Sequence, residues 1–189
     1  MTKPPFLTIN DIANVIKGLR SEYHVLDTIP IDIEEYVEFD LDIEIVPQPD
    51  IRKRVNSDAI ITRDFKSILI DNAYYKAKNM AGRNRFSIAH EVGHYFLHQD
   101  YFMAQCPTCD QDEWINYIAN MDDSIYNWLE WHADTFASLL LMPLDDMMQS
   151  IENHETMETM SRKFNVSTKA VISRVKKDDI REKFADIMP

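Results

Sequence analysis

Residues 85–98 read Arg85-Phe86-Ser87-Ile88-Ala89-His90-Glu91-Val92-Gly93-His94-Tyr95-Phe96-Leu97-His98, and this stretch decides the fold. Phe86, Ala89, Val92 or Gly93, Phe96 and Leu97 recur at helical spacing, and no proline interrupts residues 83 to 105. The stretch therefore reads as a helix, apolar over much of its surface and central to the core. His90 and His94 lie four residues apart, so they stack on one helical face and can point at a single metal ion. Glu91, one step beyond His90, can reach a water beside that ion without binding the ion itself. A chain with 6 His among 189 residues contains this H-E-x-x-H pattern by chance only about 0.01 times. The competing reading is a buried helix whose histidines merely satisfy local hydrogen bonds. Two histidines bracketing a glutamate make it the weaker one.

A catalytic zinc needs a third protein ligand and one open position. His98 does not qualify: eight residues beyond His90, it lies about 12 Å further along the axis. It reads instead as a histidine near the helix C-terminus, favoured there by the helix dipole. The better candidate is in Glu130-Trp131-His132-Ala133-Asp134, inside an apolar, breaker-free stretch from Trp128 to Met142. Glu130 and Asp134 share a face one turn apart, so one carboxylate can bind metal while the other accepts the N–H of a liganding imidazole. His132 is rotated about 200° from Glu130 and should face elsewhere. The alternative for these carboxylates is a solvated stripe, which their position in an oily helix disfavours.

These two blocks, the second running on through Thr135-Phe136-Ala137-Ser138-Leu139-Leu140-Leu141-Met142-Pro143, resemble the ImmA/IrrE family of bacterial and phage zinc peptidases. The second block of that family typically reads E-x-E-A-N/D-x-F-A-x-x-L-L-M-P. The resemblance runs from about residue 28 to 177. It implies His90, His94 and Glu130 as ligands of zinc (Zn2+), Glu91 as general base and Asp134 as the carboxylate behind a ligand. His132 departs from the family's usual glutamate, and the segment 99–127 between the blocks is long. The implied fold is α+β: a mainly helical, zincin-like core of the gluzincin kind, a small sheet bordering the active-site cleft, and a C-terminal helical pair. One domain is expected over 1–189, with a catalytic core at 28–150 and a helical, helix-turn-helix-like region at 151–189.

The rest of the chain is mapped coarsely. Residues 8–23 read as an amphipathic helix, 32–39 as a short helix and 41–47 as a strand. Ala59-Ile60-Ile61-Thr62 and Ser67-Ile68-Leu69-Ile70-Asp71 read as paired strands joined by Arg63 to Lys66. An acidic irregular stretch is expected between the H-E-x-x-H helix and a long helix over 125–141, with short helices near 155–164 and 168–177. The resemblance suggests that residues 59–71 form a sheet edge that receives substrate as an added strand. Ile60, Ile61, Thr62, Ile68 and Leu69 are then substrate-binding candidates, an internal hairpin being the alternative. A donor for the tetrahedral oxyanion is also required, with His98, Tyr95, Tyr101 and Tyr126 as candidates.

Cys106-Pro107-Thr108-Cys109 lacks the partners of a four-ligand zinc site and the strand-then-helix setting of a redox pair. Two ordinary thiols in a loop are expected, with a disulfide or a stray metal-binding pair as the alternative. The net charge is −12, and residues 151–189 are near neutral, so the acidic excess sits in the first 150 residues, clustered at Asp32 to Glu44 and Asp110 to Asp123. Such a surface repels phosphate backbones, which disfavours direct nucleic-acid binding. Residues 160–175 do resemble a helix-turn-helix, with Ser167 or Thr168 capping the second helix. A pair that packs on the core or meets a protein is the stronger reading. No apolar run is long enough to span a bilayer and no signal peptide is evident, so a cytoplasmic protein without membrane partners is expected. By resemblance, the expected activity is zinc-dependent endoproteolysis of a specific partner, such as a helix-turn-helix transcriptional repressor. The alternative is a non-catalytic, protein-binding regulatory module that keeps its zinc site.

Overall fold

A computed structural model describes residues 4–77 and 80–176. Helix α1 (Ile9–Glu22) starts at Thr8, whose side chain accepts from Asp11 N while Asp11 answers to the Thr8 amide, a capping box. Its buried face, Ile12, Ile16 and Leu19, packs on α7, the later helix Asp123–Leu141. A single 3-10 turn, His24–Asp27, leads to α2 (Ile33–Glu35), capped by Asp32 and continuing as a π turn over Tyr36–Asp40.

Three strands follow, interrupted by α3 (Ile51–Val55): β1 (Glu44–Gln48), β2 (Ala59–Ile61) and β3 (Ser67–Asp71). The sheet order is β1-β3-β2, with β1 parallel to β3 and β2 antiparallel to it. β1 begins later than residue 41 because Asp42 takes a left-handed backbone conformation, φ 54°, that a strand does not accommodate. β3 is thus the central strand and buries Ile68, Leu69 and Ile70. Only β2, which packs on α5, offers an edge to the cleft.

After α4 (Asn72–Tyr75), α5 runs unbroken over Ala81–Gln105, so His98 lies mid-helix rather than near its end. The expected irregular segment is largely helical. It contains α6 (Gln111–Ala119), where Asp110 and Glu113 form a second capping box. Asp122 caps α7, its side chain accepting from Ser124 N and Ile125 N, which starts that helix at Asp123 rather than 125. α8 (Leu144–Glu152), α9 (Met157–Phe164) and α10 (Thr168–Val175) complete the chain as described. The architecture is α+β: mostly helical, with a small three-stranded sheet and C-terminal helices.

The centre of the molecule is the α5–α7 crossing. Gly93 allows it, because a Cβ there would lie 3.0 Å from Ala133 Cα and 3.1 Å from Phe136 Cβ. Any larger residue would push the two helices apart.

Candidate metal centre

The crossing sets one turn of α5 against one turn of α7. His90 and His94 face Glu130 across it: His90 Nε2 is 3.1 Å from His94 Nε2 and 3.4 Å from Glu130 Oε2, and His94 Nε2 is 3.3 Å from Glu130 Oε1. Zinc bonds of about 2.0–2.1 Å at tetrahedral angles separate donor atoms by about 3.4 Å. The two imidazoles and the Glu130 carboxylate therefore stand near the spacing a tetrahedral ion requires, with a different Glu130 oxygen closest to each ring, and two imidazoles with a carboxylate are a donor set zinc accepts. All three residues line the cleft, leaving its side open for a further ligand. Asp134 Oδ1 accepts from His90 Nδ1 at 2.9 Å, which turns Nε2 towards the centre as the atom that would bind a metal once its own proton is displaced.

Glu91 is 4% exposed and lines the cleft beside this group. Its Oε2 accepts the main-chain N–H of Ile61 at 2.8 Å. Burial, only partly offset by His94 and His90, raises its pKa above the ordinary carboxylate value. Glu130 moves the other way: burial would raise it, but hydrogen bonds from His90 and His94 outweigh that and keep it ionised.

The oxyanion candidates separate clearly. Tyr126 lines the cleft, and burial followed by the charge of Glu130 pushes its pKa up to about 12, so it remains a hydrogen-bond donor at neutral pH. Tyr95 instead packs against Phe65 and Phe96, and Tyr101 is buried against Phe102. His98 is fully buried behind His94, with its Nδ1 2.9 Å from His94 Nδ1, so it cannot reach a substrate. It is not a C-terminal dipole residue, because α5 continues for seven more residues. His132 faces away from Glu130 and meets His98, Nδ1 to Nε2, at 3.1 Å. This histidine chain was invisible in the sequence, since the contact depends on how α5 and α7 cross.

The strand-addition surface needs correction. Thr62 N–H donates to Ser67 O and Asp71 N–H to Asp58 O, so the even-numbered residues of β2 turn their main chain towards β3. Ile61 turns outward, but its N–H is held by Glu91 and its carbonyl accepts from Trp114 Nε1 at 2.9 Å. Ile68 and Leu69 belong to the central strand. Of the five candidates only Ile60 and Ile61 line the cleft.

From the metal group a groove of ≈ 880 Å³ extends to the turn between α9 and α10, lined by Arg52, Arg83, Arg162 and Lys169. The helix-turn-helix-like pair is built into this wall. Gly82 meets the Val166 backbone so closely that a Cβ would fall 2.8 Å from its carbonyl carbon, and Arg85 Nε donates to Asn165 O at 3.2 Å. The expectation of two free thiols is also corrected: the turn ending α5 brings the Cα atoms of Cys106 and Cys109 to 5.4 Å, within disulfide range, and their sulfurs are bonded.

Among the described residues no helix is long and apolar enough to cross a membrane. No curated protein matches the chain. The fold is similar to that of a Mycobacterium tuberculosis transcriptional regulator, with 15% sequence identity and a TM-score of 0.56. The match covers 91% of this chain but 49% of that one, so the chain spans about half the length of this relative. At that identity the likeness is one of fold. The peptidase M78 family, described as the IrrE N-terminal-like domain, matches residues 72–176, a span that contains His90, Glu91, His94, Glu130 and Asp134. On that match over more than half its length, the chain belongs to the M78 family of IrrE N-terminal-like domains.

Proposed function

We propose that this protein is a zinc-dependent endopeptidase acting on one partner regulator, with a helix-turn-helix repressor as the expected class of substrate. The observation that carries this reading is Glu91, a nearly buried carboxylate fixed by the Ile61 N–H beside the His90, His94 and Glu130 donors. Burying a carboxylate is costly, and a purely structural metal site has no use for one that stays off the metal.

Zinc held by the triad supplies Lewis acidity towards a scissile carbonyl and an attacking water. The residues do the rest. With Oε2 occupied by Ile61, Glu91 has its other oxygen free to take a proton from that water and to deliver it to the leaving amine. Asp134 keeps the hydrogen of His90 on Nδ1. Tyr126 offers its phenol to the oxyanion that develops on the carbonyl. The groove towards α9 and α10 has room for a polypeptide segment, and its lining is mixed in charge, with Arg162 and Lys169 on the hairpin side and Asp58, paired with Arg52 and Arg83, on the other.

The test is incubation of the zinc-loaded protein with the regulator encoded beside it, followed by mass spectrometry of the products. Discrete fragments from the parent protein, and none from Glu91→Gln, are expected. Stable binding of the regulator without cleavage would favour the non-catalytic regulatory module instead.

A further inference from the structure

Three histidines connect the metal centre to the start of the chain. His94 Nδ1 lies 2.9 Å from His98 Nδ1, and His98 Nε2 lies 3.1 Å from His132 Nδ1. His132 Nε2 in turn accepts the main-chain N–H of Leu7 at 3.3 Å. The segment around Leu7 is docked on α7 by two further contacts: Trp128 Nε1 donates to Pro5 O at 3.1 Å, and Phe6 stacks on the Trp128 ring at 5.0 Å. His98 and His132 are fully buried, which favours their neutral forms.

A neutral imidazole has one N–H and one lone pair. Counting from Leu7, its amide takes the lone pair of His132 Nε2, so the hydrogen of His132 is on Nδ1 and points at His98 Nε2. The hydrogen of His98 is then on Nδ1 and points at His94 Nδ1. That leaves the hydrogen of His94 on Nε2, the atom that must present a lone pair to a metal. Counting from the metal end reverses every ring and finishes with an N–H on His132 Nε2, aimed at the N–H of Leu7. Three rings carry one hydrogen each, and both ends of the chain demand a lone pair. One contact must therefore be mismatched whenever the metal is bound and the arm is docked. His90 escapes the conflict because its chain ends on Asp134, which only accepts.

We infer that metal occupancy and docking of residues 5–7 on α7 oppose each other through His94, His98 and His132. The inference rests on the triad binding zinc. Binding moves the hydrogen of each ring to its other nitrogen, with one proton released at His94 Nε2 and one taken up at His132 Nε2, so all three rings stay neutral. A donor left facing a donor at the part-buried Leu7 contact, or passed back to the buried contacts between the rings, weakens zinc binding by about tenfold. His98 and His132 are thus positioning residues, and the N-terminal segment is a restraint on metal loading.

The experiment measures zinc affinity of the full chain by competition with a chromogenic chelator, for the parent, Leu7→Pro and His132→Glu. Leu7→Pro deletes the opposing N–H, and His132→Glu supplies a carboxylate that accepts from both sides. Both are expected to bind zinc about tenfold tighter than the parent. In the parent, zinc is expected to speed hydrogen exchange at the Leu7 amide. Should His132→Glu fail to fold, Leu7→Pro carries the test alone. Zinc binding by the parent with affinities unchanged in the variants, and Leu7 exchange unmoved by zinc, would overturn the coupling alone. A parent that binds no zinc would overturn the metal reading and the coupling with it.

Discussion

The amide nitrogen of Ile61 and the carboxylate of Glu91 lie 2.8 Å apart, joining the edge of the sheet to the helix that carries both candidate histidine ligands. The same residue's carbonyl is held by Trp114. The edge strand therefore positions the Glu91 carboxylate, and both main-chain groups of Ile61 are already engaged.

Glu91→Gln tests that role directly. Glutamine keeps an oxygen that can accept from Ile61, so the fold and zinc content should be retained. Hydrolysis of the partner regulator should fall by about 10²–10⁴-fold, the range for loss of a general base. Metal content by elemental analysis and fragment yield by mass spectrometry report the two halves separately. Cleavage surviving in this variant would remove Glu91 from the mechanism.

Asp134 should matter to the metal although it stands off the triad. Without its acceptor, His90 is free to rotate and to place its hydrogen on Nε2. Asp134→Ala is expected to weaken zinc affinity about 10–100-fold. A chelator titration that finds parent-like affinity would mean that the 2.9 Å contact orients nothing.

Zinc binding should depend on pH in a range where free imidazole no longer titrates. In the metal-free protein burial opposes charge on His90, yet hydrogen bonds to Asp134 and then Glu130 prevail and hold its pKa well above the usual value. Below that raised pKa, zinc must displace a proton, and its affinity should climb about tenfold per pH unit. Above it the affinity should level off. The rise is expected to continue past the ordinary imidazole pKa of about 6.5. Affinities already flat at that point would contradict the assignment.

Gly93→Ala should lower stability by about 1–3 kcal/mol, the usual cost of forcing a methyl group into a filled core. The added carbon meets backbone, Ala133 Cα at 3.0 Å, which cannot rotate away as a side chain could. Thermal melting of the metal-free chain gives the comparison. Gly18, whose Cβ would meet nothing within 4 Å, is the control: Gly18→Ala lies inside α1 and should be neutral or stabilising.

Much of this site could be read from sequence because its parts are local. His90 and His94 share a face by helical periodicity alone, and the same holds for Glu130 and Asp134. The acidic composition between α5 and α7 suggests irregular chain, yet Asp110 and Glu113 carry a capping-box spacing and start α6. What stayed hidden is the non-local part. β2 and β3 look alike as apolar runs, and only the arrival of β1 beside β3 makes one central and the other an edge. Likewise nothing in the spacing of His98 and His132, 34 positions apart, says that two buried rings will touch.

The near-contact of Gly82 with Val166 reaches beyond packing. It welds the α9–α10 hairpin to the first turn of α5, making that hairpin one lip of the groove that leads to the candidate metal centre. A proposed regulator substrate that grips this lip would already lie across the candidate metal centre. On the proposed function, choosing a victim and severing it would then be two aspects of a single encounter.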